Sequence, residues 1–194
     1  MKESFQNGEV TSAFNAPTIA DGIAVKTPGD LTFDIIKELV DDVVVVEEDE
    51  IAQAILFMME SQKIVSEGAG AVSTAALLSG KYKPEAGENV VCVVSGGNVD
   101  VNTLYRIIGV ALAKEGRRVS LKVNMNDKPG NFTKVTSIIS ETGANILSAN
   151  QGSLASGDSL TEQSAEFILE TLDFDHIKRV KAAIVEAGFC VKEI

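Results

Sequence analysis

The sequence predicts an α/β protein in two parts, divided near residue 117. Three observations carry this expectation. Two continuous β-branched runs, VVVV (43–46) and NVVCVV (89–94), alternate with helical patterns, as strands buried on both faces of a parallel sheet do. After Arg117-Arg118 the strands change style and alternate apolar with polar residues, the pattern of a sheet with one buried face. The charge divides at the same place: residues 1–117 hold 9 basic and 18 acidic side chains, whereas residues 118–194 hold 8 and 10.

The elements follow in order. Residues 1–17 are polar and read as a frayed start, and TIADGIAVKT (18–27) reads as a short extended segment. Leu31, Ile35, Ile36, Leu39 and Val40 recur at helical spacing and predict a helix over about 30–40. VVVV is the first buried strand. A helix over about 49–64 points Ile51, Ala54, Ile55, Met58 and Met59 inward, and Glu47 to Glu50 lie at its N-terminus, where the dipole favours acids. The small-residue helix GAGAVSTAALLSG ends near Gly80; its composition implies close packing. NVVCVV runs into SGGNVD and a helix over about 99–115 that stops at Gly116. VSLKVNMN then alternates as a half-buried strand, DKPG turns, and a helix over 130–142 carries Phe132, Val135, Ile138 and Ile139 inward. ANILSANQGSL is a strand, ASGDSLTEQ a loop, and SAEFILETL a strand with Ala165, Phe167, Leu169 and Thr171 on one face. A helix over 175–187 and the strand FCVKEI complete a βαββαβ order, the ferredoxin-like arrangement.

Composition narrows the function. The formal net charge is −11, with no basic patch, which argues against nucleic acid as a partner. There is one histidine, His176, expected on the surface, so catalysis by a histidine triad is disfavoured. Cys92 and Cys190 sit in apolar runs and read as two buried thiols rather than a disulfide or a metal site. No run approaches the ~20 apolar residues of a membrane span, and the first ten residues lack a signal-peptide core. A cytoplasmic protein without membrane partners is expected.

Four segments in register, TIADGIAV, VDDVVVVEEDEI, SEGAGAVSTAAL and VVSGGNVD, resemble the second half of the threonine dehydratases, the PLP-dependent threonine ammonia-lyases of the serine/threonine dehydratase and serine racemase group. DKPGNF (127–132) and GANI (143–146) make residues 118–194 similar to the regulatory ACT domain that ends the shorter enzymes of this kind. The resemblance implies that residues 1–117 are the C-terminal part of a fold-type II, tryptophan synthase beta-like PLP domain, followed by an ACT domain over 118–194. It implies deamination of L-threonine to 2-oxobutanoate and ammonia, with pyridoxal 5'-phosphate as cofactor. The family's Schiff-base lysine lies in a Ser-Phe-Lys-like motif near the start of its domain. Neither that motif, nor the glycine-rich phosphate loop, nor the acidic metal cluster occurs here. The chain is therefore expected to start midway through the catalytic domain, with Met1 an internal methionine, and to be inactive alone.

The resemblance also implies site residues. Ser95 matches the serine facing the pyridine nitrogen, beside Gly96 and Gly97; the same SGGN reads by itself as a plain strand-to-helix turn. Gly22 matches a close approach of backbone to cofactor, or is an ordinary turn glycine. Glu67 matches a glutamate near the ring edge, or is a helix N-terminal acid. For the ACT region, Asp127, Gly130, Asn131 and Phe132 form the effector side, with Asn145 and Ile146 across the pocket. The effector would be an amino acid or nucleotide, bound between paired domains of a homo-dimer. Otherwise Asp127 and Pro129 only shape a turn, Asn145 caps a strand, and the domain serves assembly or is a stand-alone regulatory module.

Overall fold

The computed structural model describes residues 1–13, 17–152 and 162–194, in two compact units, Met1–Ala111 and Leu112–Ile194. The expected loop ASGDSLTEQ lies almost wholly outside the described residues.

The first unit is helical. Helix α1 (Lys2–Asn7) replaces the expected frayed start. It holds because the buried Ser4 hydroxyl accepts from Thr11 N–H at 3.0 Å and Gly8 closes the helix in the left-handed conformation. Asp21–Ile23 form a single 3-10 turn where an extended segment was expected. Helix α2 (Asp30–Leu39) forms as predicted, but it buries only Phe33. Leu31, Ile35, Leu39 and Val40, which carry the helical spacing, are exposed. Helix α3 (Glu48–Phe57) starts with a reciprocal capping box between Glu47 and Glu50 and continues as a π-turn, Met58–Gln62. Ile51, Ala54, Ile55 and Met58 are buried as expected. They pack on helix α4 (Gly68–Leu78), whose Ala71 and Ala75 are fully covered. Helix α5 (Val101–Lys114) closes the unit and leads into the next.

The two valine runs form no strand ladder among the described residues, and they are not buried as expected. Val45 is 55% exposed, Val91 85% and Val93 68%. The physical reason is that a β-branched run becomes a strand only when neighbouring strands take its N–H and C=O groups. Among the described residues no such neighbours stand beside these runs.

The second unit is the βαββαβ arrangement that the sequence predicts. Strands β1 (Arg118–Asn126), β2 (Asn145–Gln151), β3 (Glu162–Glu170) and β4 (Cys190–Glu193) form one antiparallel sheet in the order β2-β3-β1-β4. The register sets Leu121 against Phe167 and Val123 against Ala165, so alternate residues of β1 and β3 share one face. Helices α6 (Asn131–Glu141) and α7 (Phe174–Glu186) cover that face through Val135, Ile139, Ile177, Val180 and Ile184. Phe132 stacks on Phe167 with centroids 5.7 Å apart.

Two expectations fail here. His176 is buried rather than on the surface: it is 2% exposed. Its polar neighbours in sequence are misleading because its own ring nitrogens are satisfied inside. Nδ1 accepts from Leu172 N–H at 3.2 Å, and Nε2–H donates to Thr142 O at 3.0 Å. Cys190 is exposed and Cys92 only half-buried, both as free thiols. Cys190 lies on an edge strand opposite Asn124, on the side of the sheet without helices, so its apolar sequence context does not bury it.

Candidate functional site

In the first unit the N-terminus of α4 and the glycine loop after Val94 are folded onto each other. Glu67 N–H donates to Gly96 O at 3.1 Å, and the buried Ser66 hydroxyl donates to Gly96 O at 3.2 Å and Glu67 O at 2.9 Å. The Glu67 carboxylate in turn accepts from Asn98 N–H at 3.0 Å. The loop must be glycine for this to occur. A Cβ on Gly96 would stand 2.5 Å from Glu67 Oε1, and one on Gly97 would stand 2.8 Å from Val65 O. On the helix side, a Cβ on Gly70 would meet Gly96 O at 2.7 Å, and one on Gly68 would overlap Ile19 O. A Cβ on Gly22 would lie 3.0 Å from Ala69 Cβ and 3.7 Å from Glu67 Oε1.

Three of the four sequence-derived cofactor residues therefore converge: Gly22 and Gly96 both face Oε1 of Glu67. Ser95 precedes Gly96 with its side chain exposed and without a hydrogen-bond partner. Sequence reasoning missed Ser66 and Gly70, which lock the loop to the helix. The signal was present in SEGAG, where two glycines two apart follow a serine at a helix start. The set fits one edge of a polar aromatic ring. It offers a free hydroxyl, a backbone stripped of side chains and a carboxylate held by a backbone N–H. It contains no ammonium group to anchor such a ring covalently.

An ion-pair network steadies the same unit. Lys81 Nζ lies 2.8 Å from Glu50 Oε2 and 3.8 Å from Glu47 Oε1. Burial works against ionisation of Glu50. The Lys81 ammonium and the Glu47 N–H outweigh it and hold the carboxyl below its ordinary value of 4.5. No group of three or more metal-ligating side chains is found among the described residues.

In the second unit the turn after β1 is closed by Asn131, whose side-chain amide donates to Asn126 O at 2.9 Å. Gly130, at φ 94°, caps α6 in a conformation that only glycine adopts at low cost. Asp127, Gly130 and Phe132 line an open hollow of about 280 Å³ with Gln151 and Gln163. Asn131 faces a neighbouring hollow of about 350 Å³ with Lys134 and Phe189. The structure does not bring Asn145 and Ile146 to either. Asn145 pairs with Glu170, whereas the turn follows Asn126, which pairs with Glu162. Eight residues of β3, about 27 Å, separate the two ends. Asn145 instead donates to Glu170 at 3.1 Å beside a third hollow of about 300 Å³, with Arg117, Thr171 and His176.

Residues 1–96 match the family model described as "Pyridoxal-phosphate dependent enzyme". The chain is 42% identical over 192 residues to an L-threonine ammonia-lyase of Thermotoga maritima, covering 99% of this chain and 47% of that protein. It is 40% identical over 188 residues to an L-threonine ammonia-lyase of Geobacter sulfurreducens, covering 97% and 46%. The chain thus spans about half the length of these curated relatives. A solved structure, the processed form of threonine deaminase isoform 2 from Solanum lycopersicum, superposes on 57% of this chain and 32% of that one, with TM-score 0.50 and 32% identity.

Proposed function

Residues 1–96 belong to the family of pyridoxal-phosphate dependent enzymes, and from that premise we propose that the chain forms one wall of the cofactor site of a threonine dehydratase, joined to a regulatory unit. The observation that carries this reading is the convergence of Gly22, Glu67 and Gly96, with Ser95 adjoining. The reaction is deamination of L-threonine to 2-oxobutanoate and ammonia.

Pyridoxal phosphate, when bound, supplies the electron sink that stabilises charge at the substrate Cα. This chain's own residues orient it. The Ser95 hydroxyl would donate to the pyridine nitrogen. A hydroxyl would not hold that nitrogen protonated as a carboxylate would, and loss of a β-hydroxyl asks for only modest stabilisation. Gly96 and Gly22 would keep side chains away from the ring, and Glu67, held by the Asn98 N–H, would stand at its edge.

No lysine of this chain sits in a Ser-Phe-Lys-like motif. By the family resemblance one lysine is both covalent anchor and α-proton base, so the chain alone does not carry out the elimination. With threonine and added pyridoxal phosphate, purified protein is expected to form no 2-oxobutanoate. Steady turnover would overturn that statement.

The second unit reads as a regulatory ACT domain that binds a small effector or pairs subunits into a homo-dimer. The hollow at Asp127, Gly130 and Phe132 sits at the start of α6, where free backbone N–H groups favour a carboxylate or phosphate. Calorimetry with threonine, isoleucine, valine, AMP and ADP tests this. Binding weakened by Gly130→Ala supports an effector role; absence of heat with all five leaves assembly as the domain's role. Among the described residues, no helix is long and apolar enough to cross a membrane, and Cys92 and Cys190 are free thiols.

A further inference from the structure

Helices α6 and α7 cover one face of the sheet in the second unit, and among the described residues no helix covers the other. On β1, Val119, Leu121 and Val123 point to the helices, so Arg118, Ser120 and Lys122 stand on the bare face. By the same alternation β3 presents Glu166, Ile168 and Glu170 there. Strand β4, whose Val191 packs on the core, presents Lys192. The charges are sorted by strand: β1 and β4 bring cations to this face, and β3 brings acids. The register sets them level. Glu166 lies opposite Lys122 and Glu170 opposite Arg118, with Ile168 and Ser120 between the two rows. Lys122 also lies opposite Lys192, two like charges side by side, which is unfavourable within one sheet. Among the described residues no ion pair takes up Arg118, Lys122, Lys192 or Glu166. The middle row is partly apolar, with Ile168 38% and Ile194 63% exposed.

We infer that this face is an interface between two copies of the chain, stacked sheet on sheet about a two-fold axis that runs along the strands between β1 and β3. Such an axis exchanges β3 with β1 of the second copy and keeps every residue at its own level. Glu166 then faces the partner's Lys122, and Glu170 faces the partner's Arg118, each twice by symmetry. The same axis lays β4 over β2, so Lys192 meets the partner's Asn150, which sits level with Glu166. Packed sheets lie about 10 Å apart, a gap that a lysine and a glutamate reaching toward each other fill. They cross at about 30°, which moves rows two residues from the centre by only about 3 Å. The occupant is a second copy because the pattern is complementary to itself. A wholly acidic or wholly basic partner would meet its own sign on half of the face. This pairing rests on the assembly role proposed for the second unit and names the surface that performs it.

Sedimentation velocity of the full 194-residue chain over a range of concentrations tests it. The parent is expected to dimerise, and less strongly as salt is raised. Lys122→Glu sets Glu166 against a glutamate of the second copy, and Glu166→Lys sets Lys122 against a lysine. Each change acts at two symmetric contacts, so either variant alone should dimerise at least about tenfold more weakly. An equimolar mixture of the two variants should recover the dimer, because every contact between positions 122 and 166 of the two copies is again opposite in sign. Within each chain the like-charge pair persists, so recovery on mixing does not come from repaired folding. Variants that weaken alone and do not recover when mixed overturn the inference. Dimerisation indifferent to both substitutions also overturns it, while leaving the assembly role to another surface such as a strand edge. A parent chain that stays monomeric at every concentration overturns the interface and the assembly role together.

Discussion

At Gly96 the missing side chain does two things at once: it leaves room for the Glu67 carboxylate and lets Gly96 O accept from Glu67 N–H and Ser66. Substitutions at three glycines here should therefore differ in size. In Gly96→Ala the new methyl meets the far end of a flexible glutamate, which can swing away, so the melting free energy should fall by about 1 kcal/mol or less, the low end of overpacking. In Gly70→Ala and Gly68→Ala the methyl meets backbone carbonyls that cannot move alone, and the loss should reach about 2–3 kcal/mol. Chemical denaturation of the three variants checks the order. At His176 the ring bridges α6 and α7, and His176→Ala strips partners from Leu172 N–H and Thr142 O. Each group left unpaired costs up to about 1–3 kcal/mol, so the denaturation midpoint of the second unit should fall below that of the parent. Neither glutamate capture by a glycine nor a buried histidine is legible from local sequence, because both depend on residues about thirty positions away.

The helices show how far local patterning reaches. The capping box Glu47/Glu50 and the N-cap Asp173, whose carboxylate accepts from His176 N–H at 2.7 Å, are readable from the chain itself. Asp173→Ala should cost α7 about 1 kcal/mol, seen as a lower denaturation midpoint with unchanged slope. The Lys81–Glu50 pair ties the start of α3 to the chain after α4. Glu50 has its folded pKa held below 4.5, so its contribution is fully present above the unfolded value and disappears as pH falls through the folded one. Lys81→Met should thus flatten the melting temperature between pH 5 and pH 3, and change it little at pH 7, where a surface pair is worth about 0–1 kcal/mol. The valine runs mark the limit of such reading. Their composition says strand, yet a strand exists only with partners, and α2 likewise keeps its apolar stripe in solvent.

Across the whole molecule the two units differ in what they contain. The second has all four of its strands and both covering helices, so its binary pattern determines its sheet and Phe167 is fully buried between them. Phe167→Ala should cost about 3–5 kcal/mol and unfold that unit. The first contains a well-packed α3–α4 pair and a glycine loop folded onto the start of α4. Motif resemblance singled out Gly22, Glu67 and Gly96, which the structure brings together. The effector set was legible only in part, since Asn145 and Ile146 lie at the far end of the sheet from Asp127. The central claim is that this chain contributes the cofactor's pyridine side and not its covalent anchor. Incubation of the purified chain with pyridoxal phosphate, borohydride reduction and mass spectrometry test it most directly. The account predicts no adduct at one stoichiometric lysine, only sparse labelling scattered over surface lysines; complete modification of a single lysine would contradict it.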